Sequence, residues 1–332
     1  MEIGHPDRPL AVWVVSDGRA GIENQALGLA EAVQRLTPAE ITIKHVHWRP
    51  RADKLPVFLK SPALLDPSSD AVVPGPGEAW PDLWIATGRA TLPLSLAARR
   101  RSGGRTFVVQ TQDPRLSPSR FDMVVAPAHD ELAGDNVFRI TGSPHRVTPA
   151  RIAAAAAAMA DRIAPLPRPR VAVLIGGRSA AFDLTEAHAA DLADRIARAV
   201  RAAGGSLLLT FSRRTPAAAR AVMIDRLGKL PGLIWDERGP NPYFAFLGAA
   251  DHVLVTEDSA NMAAEAAATG RPVHVLPMLA RKPGGKFARL HADLEDRGAT
   301  RPFTADLPVW TYPPLAETDL AARAVLEAMA AR

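Results

Sequence analysis

Short apolar runs alternate with helical segments along almost the whole chain, and this alternation restricts the fold more than any other feature of the sequence. Each run has about the length of a buried strand and is bounded by turn residues. Strands that are separated by helices pack as a parallel sheet with helices on both faces. The sequence therefore predicts an α/β protein.

The pattern also predicts where these elements lie. In the first half, strands are predicted at 10–16, 41–48, 82–87, 106–111 and 121–126, with helices at 23–36 and 89–101. In the second half, strands are predicted at 170–175, 206–211, 232–235, 252–256 and 273–276, with helices at 185–203, 216–227, 242–249 and 261–269. Thr148-Pro149 has the form of a helix start and predicts a helix over 150–163, and a last helix is predicted at 317–331.

The chain has 332 residues, about twice the usual length of one domain, which indicates two domains. We expect two Rossmann-like domains whose parallel sheets face each other across a cleft. The predicted divisions are an N-terminal domain (1–148), a helix and proline-rich linker (149–169), a C-terminal domain (170–312) and a C-terminal helix (313–332) that packs back on the N-terminal domain.

Composition excludes several classes of site. The chain has no cysteine, so disulfides, cysteine-ligated metals and thiol nucleophiles are excluded. Its nine histidines are scattered, and no metal site is predicted. A net charge of +5 suits an anionic small molecule or a membrane surface, and we do not predict nucleic-acid binding. The sequence shows neither a signal peptide nor a spanning segment, and we expect a cytoplasmic protein.

Loops that follow the predicted strands are the expected binding sites, because ligands of open parallel sheets bind at the carboxyl ends of the strands. The first such loop follows residue 16 and carries Asp17 and Glu23 as candidate catalytic groups. Its candidate anion-binding or acceptor-binding residues are Gly18, Arg19, Ala20, Gly21, Asn24 and Gln25. The loop matches neither the dinucleotide fingerprint nor a P-loop, so no nicotinamide or other cofactor is predicted.

Three further segments in the second half are candidates for binding a nucleotide or phosphate. Two arginines precede a predicted helix start, where an anion would offset their charge. Farther along, a glutamate inside a predicted helix could accept hydrogen bonds from two sugar hydroxyls. The candidates are Gly176, Gly177, Arg178, Ser179, Ser212, Arg213, Arg214, Thr215, Ser259 and Glu265. The adjacent Glu257 and Asp258 would repel a diphosphate there unless they face a sugar or a metal.

Two resemblances follow from these residues. The segment 251–259, with Glu265-Ala266 and Gly270-Arg271-Pro272-Val273, resembles the donor half of GT-B glycosyltransferases, among them the peptidoglycan N-acetylglucosaminyltransferase. That resemblance implies that residues after the strand meet a diphosphate and that Glu265 holds the ribose. The whole chain resembles the mitochondrial fission Elm ("elongated mitochondria") family, whose plant members help recruit a dynamin-type protein. The matching blocks lie at 16–25, 112–115, 141–148, 212–216, 241–244 and 256–259.

Three functions follow from this interpretation. The leading hypothesis is a GT-B glycosyltransferase in which the second half binds a nucleotide-diphosphate sugar and the first half binds an acceptor. Asp17, Glu23 and His145 are its candidate general bases, and none stands out. The alternatives are a non-catalytic adaptor on the same fold and a nucleotide-sugar epimerase without nicotinamide. The adaptor is favoured by Ile22, which stands where many members of the resembled family have histidine.

Residues 48–60 interleave cations and prolines with Trp, Leu, Val and Phe. A stretch of this kind can lie at an anionic membrane surface, and it would attach the protein peripherally to the inner face of the membrane. The other interpretation is a loop packed on the first domain, because its prolines interrupt a continuous helix.

Overall fold

The computed structural model describes residues 8–282 and 285–332, and these residues form two compact units. The first unit contains the chain up to Arg146 together with Ala316–Arg332, and the second contains Val147–Leu315. The chain therefore enters the first unit twice. No helix in the described part of the chain is both long and apolar enough to span a bilayer.

The first unit is a six-stranded parallel sheet with helices. Its elements in chain order are β1 (Leu10–Ser16), α1 (Ala20–Leu36), β2 (Ala39–His45), α2 (Pro50–Asp53), β3 (Leu83–Thr87), α3 (Leu92–Arg101), β4 (Phe107–Thr111), β5 (Met123–Pro127) and β6 (Val137–Ile140). The strand order is β2-β1-β3-β4-β5-β6. Short 3₁₀ turns lie at Val57–Leu59, Pro62–Leu64, Pro118–Arg120 and Ala128–Asp130.

The second unit is built in the same way. Its elements are α4 (Pro149–Ala158), α5 (Ala160–Ile163), β7 (Arg170–Ile175), β8 (Phe182–Asp183), α6 (Glu186–Ala202), β9 (Ser206–Phe211), α7 (Ala217–Leu227), β10 (Gly232–Ile234), α8 (Tyr243–Ala249), β11 (His252–Thr256), α9 (Ala260–Ala267), β12 (Val273–Leu276), β13 (Leu279–Ala280), α10 (Lys286–Asp296) and β14 (Thr300–Pro302). Six parallel strands have the order β10-β9-β7-β11-β12-β14, and β8 pairs with β13 as a small antiparallel ribbon. The last helix, α11 (Glu317–Ala330), belongs to the first unit.

Both sheets are buried on both faces, as parallel sheets require. In β7, Val171, Val173 and Ile175 pack into one apolar core, whereas Ala172 and Leu174 pack into another on the opposite face. This alternation follows from the two-residue period of a strand. Helix α6 covers one of these faces with its apolar side, because Leu192, Ile196 and Val200 repeat with helical period and are buried in the same core as Val171.

The predicted α/β architecture with two Rossmann-like parallel sheets is confirmed, and many element boundaries agree within a residue or two. Thr148 caps α4 by accepting a hydrogen bond from the Arg151 N–H at 3.2 Å, with Pro149 in the first turn, as the sequence predicts. The prediction missed β6, β14, α10 and the ribbon of β8 and β13. Three boundaries were wrong by three residues: α1 begins at Ala20 rather than at residue 23, α3 begins at Leu92 rather than at residue 89, and β2 ends at His45 rather than at residue 48. The helix predicted over 150–163 is divided into α4 and α5, and the short helix α2 was not predicted.

Candidate functional site

A cavity of about 660 Å³ opens at the carboxyl ends of β7, β9 and β11 in the second unit. Three cationic side chains line it: Arg214 after β9, Lys282 after β13, and Lys286 at the start of α10. The lining residues are Ser179, Ala180, Ala181, Arg214, Asp258, Ser259, Ala260, Asn261, Lys282, Gly285, Lys286 and Phe287. The eight-residue helix α9 also begins at this cavity, where its first N–H groups add positive potential.

Asp258 is the buried centre of this cavity wall. Its side chain is fully buried, and its Oδ2 accepts hydrogen bonds from the Gly177 N–H at 2.9 Å and from the Arg214 guanidinium at 2.8 Å. Its second oxygen, Oδ1, has no hydrogen-bond partner among the described residues. The carboxylate therefore fixes Arg214 at the cavity and is balanced by its charge.

The neighbouring Glu257 faces another direction. Its carboxylate accepts a hydrogen bond from the Met278 N–H at 3.0 Å, and it lines a separate cavity of about 260 Å³ with His291 and Phe303. The two adjacent carboxylates are thus separated, and only Asp258 borders the larger cavity.

Tight packing joins the glycine and arginine loops that the sequence singled out. A Cβ at position 177 would lie 2.1 Å from the carbonyl oxygen of Arg214, so the close approach of the two loops requires glycine. The Arg178 N–H donates to the same carbonyl at 3.1 Å. Thr215 does not cap α7, because its hydroxyl donates to the carbonyl of Gly176 and the helix begins at Ala217.

The other predicted nucleotide-binding residues lie in different surroundings. Arg178 pairs with Asp183 at 2.9 Å, Ser212 accepts a hydrogen bond from the Arg214 N–H at 3.2 Å, and Arg213 is exposed outside the cavity lining. Ser259 is the N-cap of α9 and accepts from the Met262 N–H at 3.4 Å. The structure thus brings Ser179, Arg214 and Ser259 together.

Glu265 is buried within α9 and accepts a hydrogen bond from the Tyr243 hydroxyl of α8. Burial raises the pKa of Glu265 to about 7, and the Tyr243 hydroxyl opposes that shift. Burial and the nearby carboxyl also raise the pKa of Tyr243 well above its usual value, which keeps its hydroxyl protonated and donating. The cavity lining described above does not include Glu265.

At the carboxyl edge of the first sheet, the predicted loop is partly helix, because Ala20 and Gly21 are already in α1. Asp17 pairs with the Arg19 guanidinium at 2.7 Å. Although burial raises the pKa of Asp17, the hydrogen bonds and charge of Arg19 outweigh burial and hold it below its usual value. Gln25 is buried and accepts a hydrogen bond from the Gln112 side chain at 2.8 Å, while Asn24 is half-buried.

The remaining base candidates occupy different environments. His145 is buried, and its main-chain N–H donates to the Thr318 hydroxyl at 3.1 Å. Glu23 lies in the first turn of α1 and contacts both Ser16 and His45. Analysis of the sequence did not select His45, which lies within the strand predicted at 41–48.

Comparison with known proteins places this chain in a family. The model of the family described as "Mitochondrial fission ELM1" matches residues 20–329. The chain belongs to the mitochondrial fission ELM1 family. The predicted resemblance is therefore confirmed over most of the chain.

Two curated proteins are similar in sequence to this chain. The mitochondrial fission protein ELM1 of Arabidopsis thaliana is 35% identical over 76% of this chain. The matched region covers only 65% of the plant protein's own length. An uncharacterized protein of Rickettsia prowazekii is 24% identical over 80% of this chain and 82% of its own length.

A solved structure also resembles this ELM1 family member. The UDP-N-acetylglucosamine 2-epimerase of Rickettsia bellii matches with a TM-score of 0.51 at 12% identity, covering 98% of this chain and 97% of that chain. At this identity the likeness concerns the fold alone, and it confirms the predicted GT-B-like fold.

Analysis of the sequence missed three candidate site residues of this ELM1 family member: Lys282, Lys286 and His45. The spacing of Phe287, Leu290 and Leu294 could have predicted α10, because these residues repeat with helical period on one face. That helix would have placed Lys286 in its first turn. No comparable local signal marks His45.

Proposed function

We propose that this ELM1 family member is a glycosyltransferase that moves a sugar from a nucleotide-diphosphate donor to an acceptor, with the donor bound by the second unit. The observation that carries the proposal is the convergence of Arg214, Lys282, Lys286 and the start of α9 on one cavity. A diphosphate carries the negative charge that such a site attracts. The resemblance to donor-binding halves of GT-B enzymes supports the same assignment.

In this proposal the diphosphate lies against the start of α9, between Arg214 and Lys286. The hydroxyls of Ser179 and Ser259 are further donors at the same cavity. Asp258 fixes the guanidinium of Arg214 before the ligand arrives, so less rotamer entropy is lost on binding. Cations placed at the leaving diphosphate also stabilise the charge that develops when the sugar departs.

The proposal keeps Glu265 as the predicted ribose ligand, although its buried carboxyl group lies outside the cavity lining and accepts a hydrogen bond from the Tyr243 hydroxyl. A buried carboxyl that accepts from two adjacent hydroxyls discriminates strongly against ligands that lack them, because it would otherwise lose its partners. The acceptor is assigned to the first unit, at the loop and helix start spanning 17–25.

Calorimetric titration of the full chain with UDP, GDP, ADP, CMP and dTDP tests the donor site. We expect one nucleotide to bind saturably, and Arg214→Ala and Lys286→Ala each to weaken it by about 10- to 100-fold, because each removes a charge-assisted contact. Lys229→Ala is the matched control, since it removes an exposed cation of the same unit outside the cavity.

The failure of all these nucleotides to bind the folded protein would contradict the transferase and favour the adaptor. Incubating the bound donor without acceptor in deuterated water distinguishes the epimerase. Deuterium incorporation into the sugar would indicate epimerisation rather than transfer.

We also propose that the exposed part of 48–60 contacts an anionic lipid surface. Phe58 is 79% exposed and Leu59 is 54% exposed, and the cations Arg49, Arg51 and Lys54 are exposed in the same segment. Trp48 and Lys60 face inward, with the ammonium of Lys60 at 5.0 Å from the Trp48 ring. Apolar side chains among cations suit a bilayer with negative headgroups.

Flotation with vesicles of phosphatidylcholine, with or without phosphatidylglycerol, tests this surface. We expect binding only with the anionic lipid and its loss in Phe58→Asp. Val309→Asp is the control, because Val309 is equally exposed, at 80%, and lies in the second unit. Equal binding of both variants would refute the assignment.

A further inference from the structure

Ser16 and His45 end two neighbouring strands of the first sheet. Strands β1 and β2 run parallel, and their register places Ser16 directly beside His45 at the carboxyl edge. Ligands of parallel sheets bind at this edge. The pairing therefore brings a hydroxyl and an imidazole together at a position where chemistry is common in such folds.

A single carboxylate oxygen joins these two residues. Oε2 of Glu23 accepts a hydrogen bond from the Ser16 hydroxyl at 2.5 Å and lies 2.7 Å from Nε2 of His45. The Ser16 oxygen in turn accepts from the Gly18 N–H at 3.1 Å. Glu23 lies in the first turn of α1, where the helix dipole favours a negative charge. These hydrogen bonds hold the Glu23 carboxylate beside the imidazole ring of His45.

The main chain of His45 is fixed as well. Its N–H donates to the Asp70 carboxylate at 2.6 Å, and its carbonyl accepts from the Asp70 N–H at 2.8 Å. Gly18 has φ of +76°, and a Cβ at that position would lie 3.7 Å from Cδ2 of the His45 ring. The imidazole is thus positioned by its strand, by its carboxylate and by the turn below it.

The other ring nitrogen has no such partner. Among residues 8–282 and 285–332, no side chain or main-chain group hydrogen-bonds Nδ1 of His45, and the side chain is 47% exposed. If Nε2–H donates to Glu23, Nδ1 carries a lone pair that faces no described group. A neutral imidazole in this state accepts a proton.

The other candidate bases of this unit are less well placed. The Asp17 carboxylate is paired with Arg19, and His145 is buried. Oε2 of Glu23 already contacts both the Ser16 hydroxyl and Nε2 of His45. His45 therefore combines a fixed orientation with an accessible proton acceptor.

We propose that His45 is the general base that activates the acceptor hydroxyl and that Glu23 is its positioning residue. This inference rests on the proposed transferase function. Nδ1 takes the proton of the acceptor hydroxyl. At the same time, the oxygen of that hydroxyl forms a bond to the anomeric carbon of the donor sugar. The bond from that carbon to the diphosphate oxygen breaks, and the nucleoside diphosphate leaves with the electron pair. Glu23 stabilises the imidazolium that forms.

This step is tested on the full chain by measuring nucleotide release with water as the acceptor. The donors are UDP-N-acetylglucosamine, UDP-glucose, GDP-mannose and ADP-glucose. We expect His45→Gln to lower kcat by about 10²- to 10⁴-fold while the nucleotide Kd is unchanged. Glu23→Gln should lower kcat less and also leave the nucleotide Kd unchanged. The matched control is His47→Gln, because His47 is exposed two residues along the chain and should keep wild-type turnover.

The outcomes separate the two proposals. If the nucleotide binds and wild type and His45→Gln turn over equally, the base assignment is overturned and the transferase proposal stands. The same conclusion follows if the nucleotide binds but the wild type releases none. Absence of nucleotide binding overturns both.

A second measurement does not depend on turnover. Long-range ¹H–¹⁵N spectra of the imidazoles report the tautomer of His45, and we expect protonation at Nε2 that is lost or mixed in Glu23→Gln. Protonation at Nδ1 in the wild type would overturn the assignment.

Discussion

The carboxyl edges of the two sheets differ in the burial and the partners of their acidic side chains. At the edge of the first sheet, Asp17 and Glu23 are partly accessible and contact Arg19, Ser16 and His45. At the edge of the second sheet, Asp258 is buried behind a cationic cavity. The same strand geometry therefore carries partly accessible carboxylates at one edge and a buried carboxylate beside three cationic side chains at the other, depending on the residues that follow each strand.

The loops at the second edge are also packed more tightly than those at the first. A Cβ at Gly21 would meet no atom within 4 Å, whereas one at Gly177 would lie 2.1 Å from a main-chain carbonyl oxygen. The helix start of the first edge has open space, and the loops of the second are packed against each other.

The largest expected effect tests this contrast in packing. Gly177→Ala should lower the free energy of unfolding by about 3–5 kcal/mol, because neither main chain can move without disturbing the buried Asp258 contact. Gly21→Ala should raise it by about 0.5–1 kcal/mol, since alanine favours the helix. Denaturant unfolding of both variants measures the difference, and a similar loss in each would remove the contrast.

Glu265 gives the next largest effect. Its pKa of about 7 exceeds its usual value of 4.5, so its contribution to stability is fully present below pH 4.5 and is lost as pH rises through 7. We expect about 3 kcal/mol to be lost between pH 5 and 8, with the loss absent in Glu265→Gln. Unfolding curves across this range supply the check, and an unchanged slope in the variant would contradict a neutral buried carboxyl.

The histidines of the two units sharpen the comparison further. His45 is half-exposed beside a carboxylate, whereas His274 is buried beside His252, with 3.3 Å between ring nitrogens. Burial, followed by His252, lowers the pKa of His274 to about 4. Stability should therefore fall by about 2 kcal/mol as pH drops from 6.5 toward 4. His274→Gln should flatten this acid slope, which unfolding at pH 4.5 and 6.5 measures.

The smallest expected effect compares two arginine–aspartate pairs. Arg214→Ala leaves a fully buried Asp258 with one fewer donor, but water reaches the 42% exposed guanidinium, so we expect a loss of only about 1–2 kcal/mol. Arg19→Ala should change stability by less than about 0.5 kcal/mol, because Asp17 remains accessible to water. Thermal unfolding of the two variants measures both, and equal losses would mean that burial of the carboxylate is unimportant.

Much of the fold follows from the sequence, because buried strands such as Leu10–Ser16 and His252–Thr256 are continuous apolar runs between turn residues. The edge strand Thr300–Pro302 is polar, short and ends in proline, so it carries no such signal. Helix α10 has a helical apolar period, but only two of its residues, Leu290 and Leu294, are buried.

The candidate site divides in the same way. Ser179, Arg214 and Ser259 could be predicted, because each lies in the first few residues after a recognisable strand. The contact between His45 and Glu23 could not, because it joins residues 22 positions apart through a strand register that the sequence does not encode locally. The role of Asp258 as the buried partner of Arg214 depends on a contact between two loops that are far apart in sequence.

The route of the chain has a consequence during its synthesis. Helix α11 covers one face of the first sheet with Ala321, Ala322, Val325 and Leu326, yet the ribosome makes the whole of Val147–Leu315 before it. At about 5–20 residues per second, that face waits roughly ten to thirty seconds for its last helix. The unit that begins first is therefore completed last, and during this interval the apolar face that α11 later covers stays exposed to water.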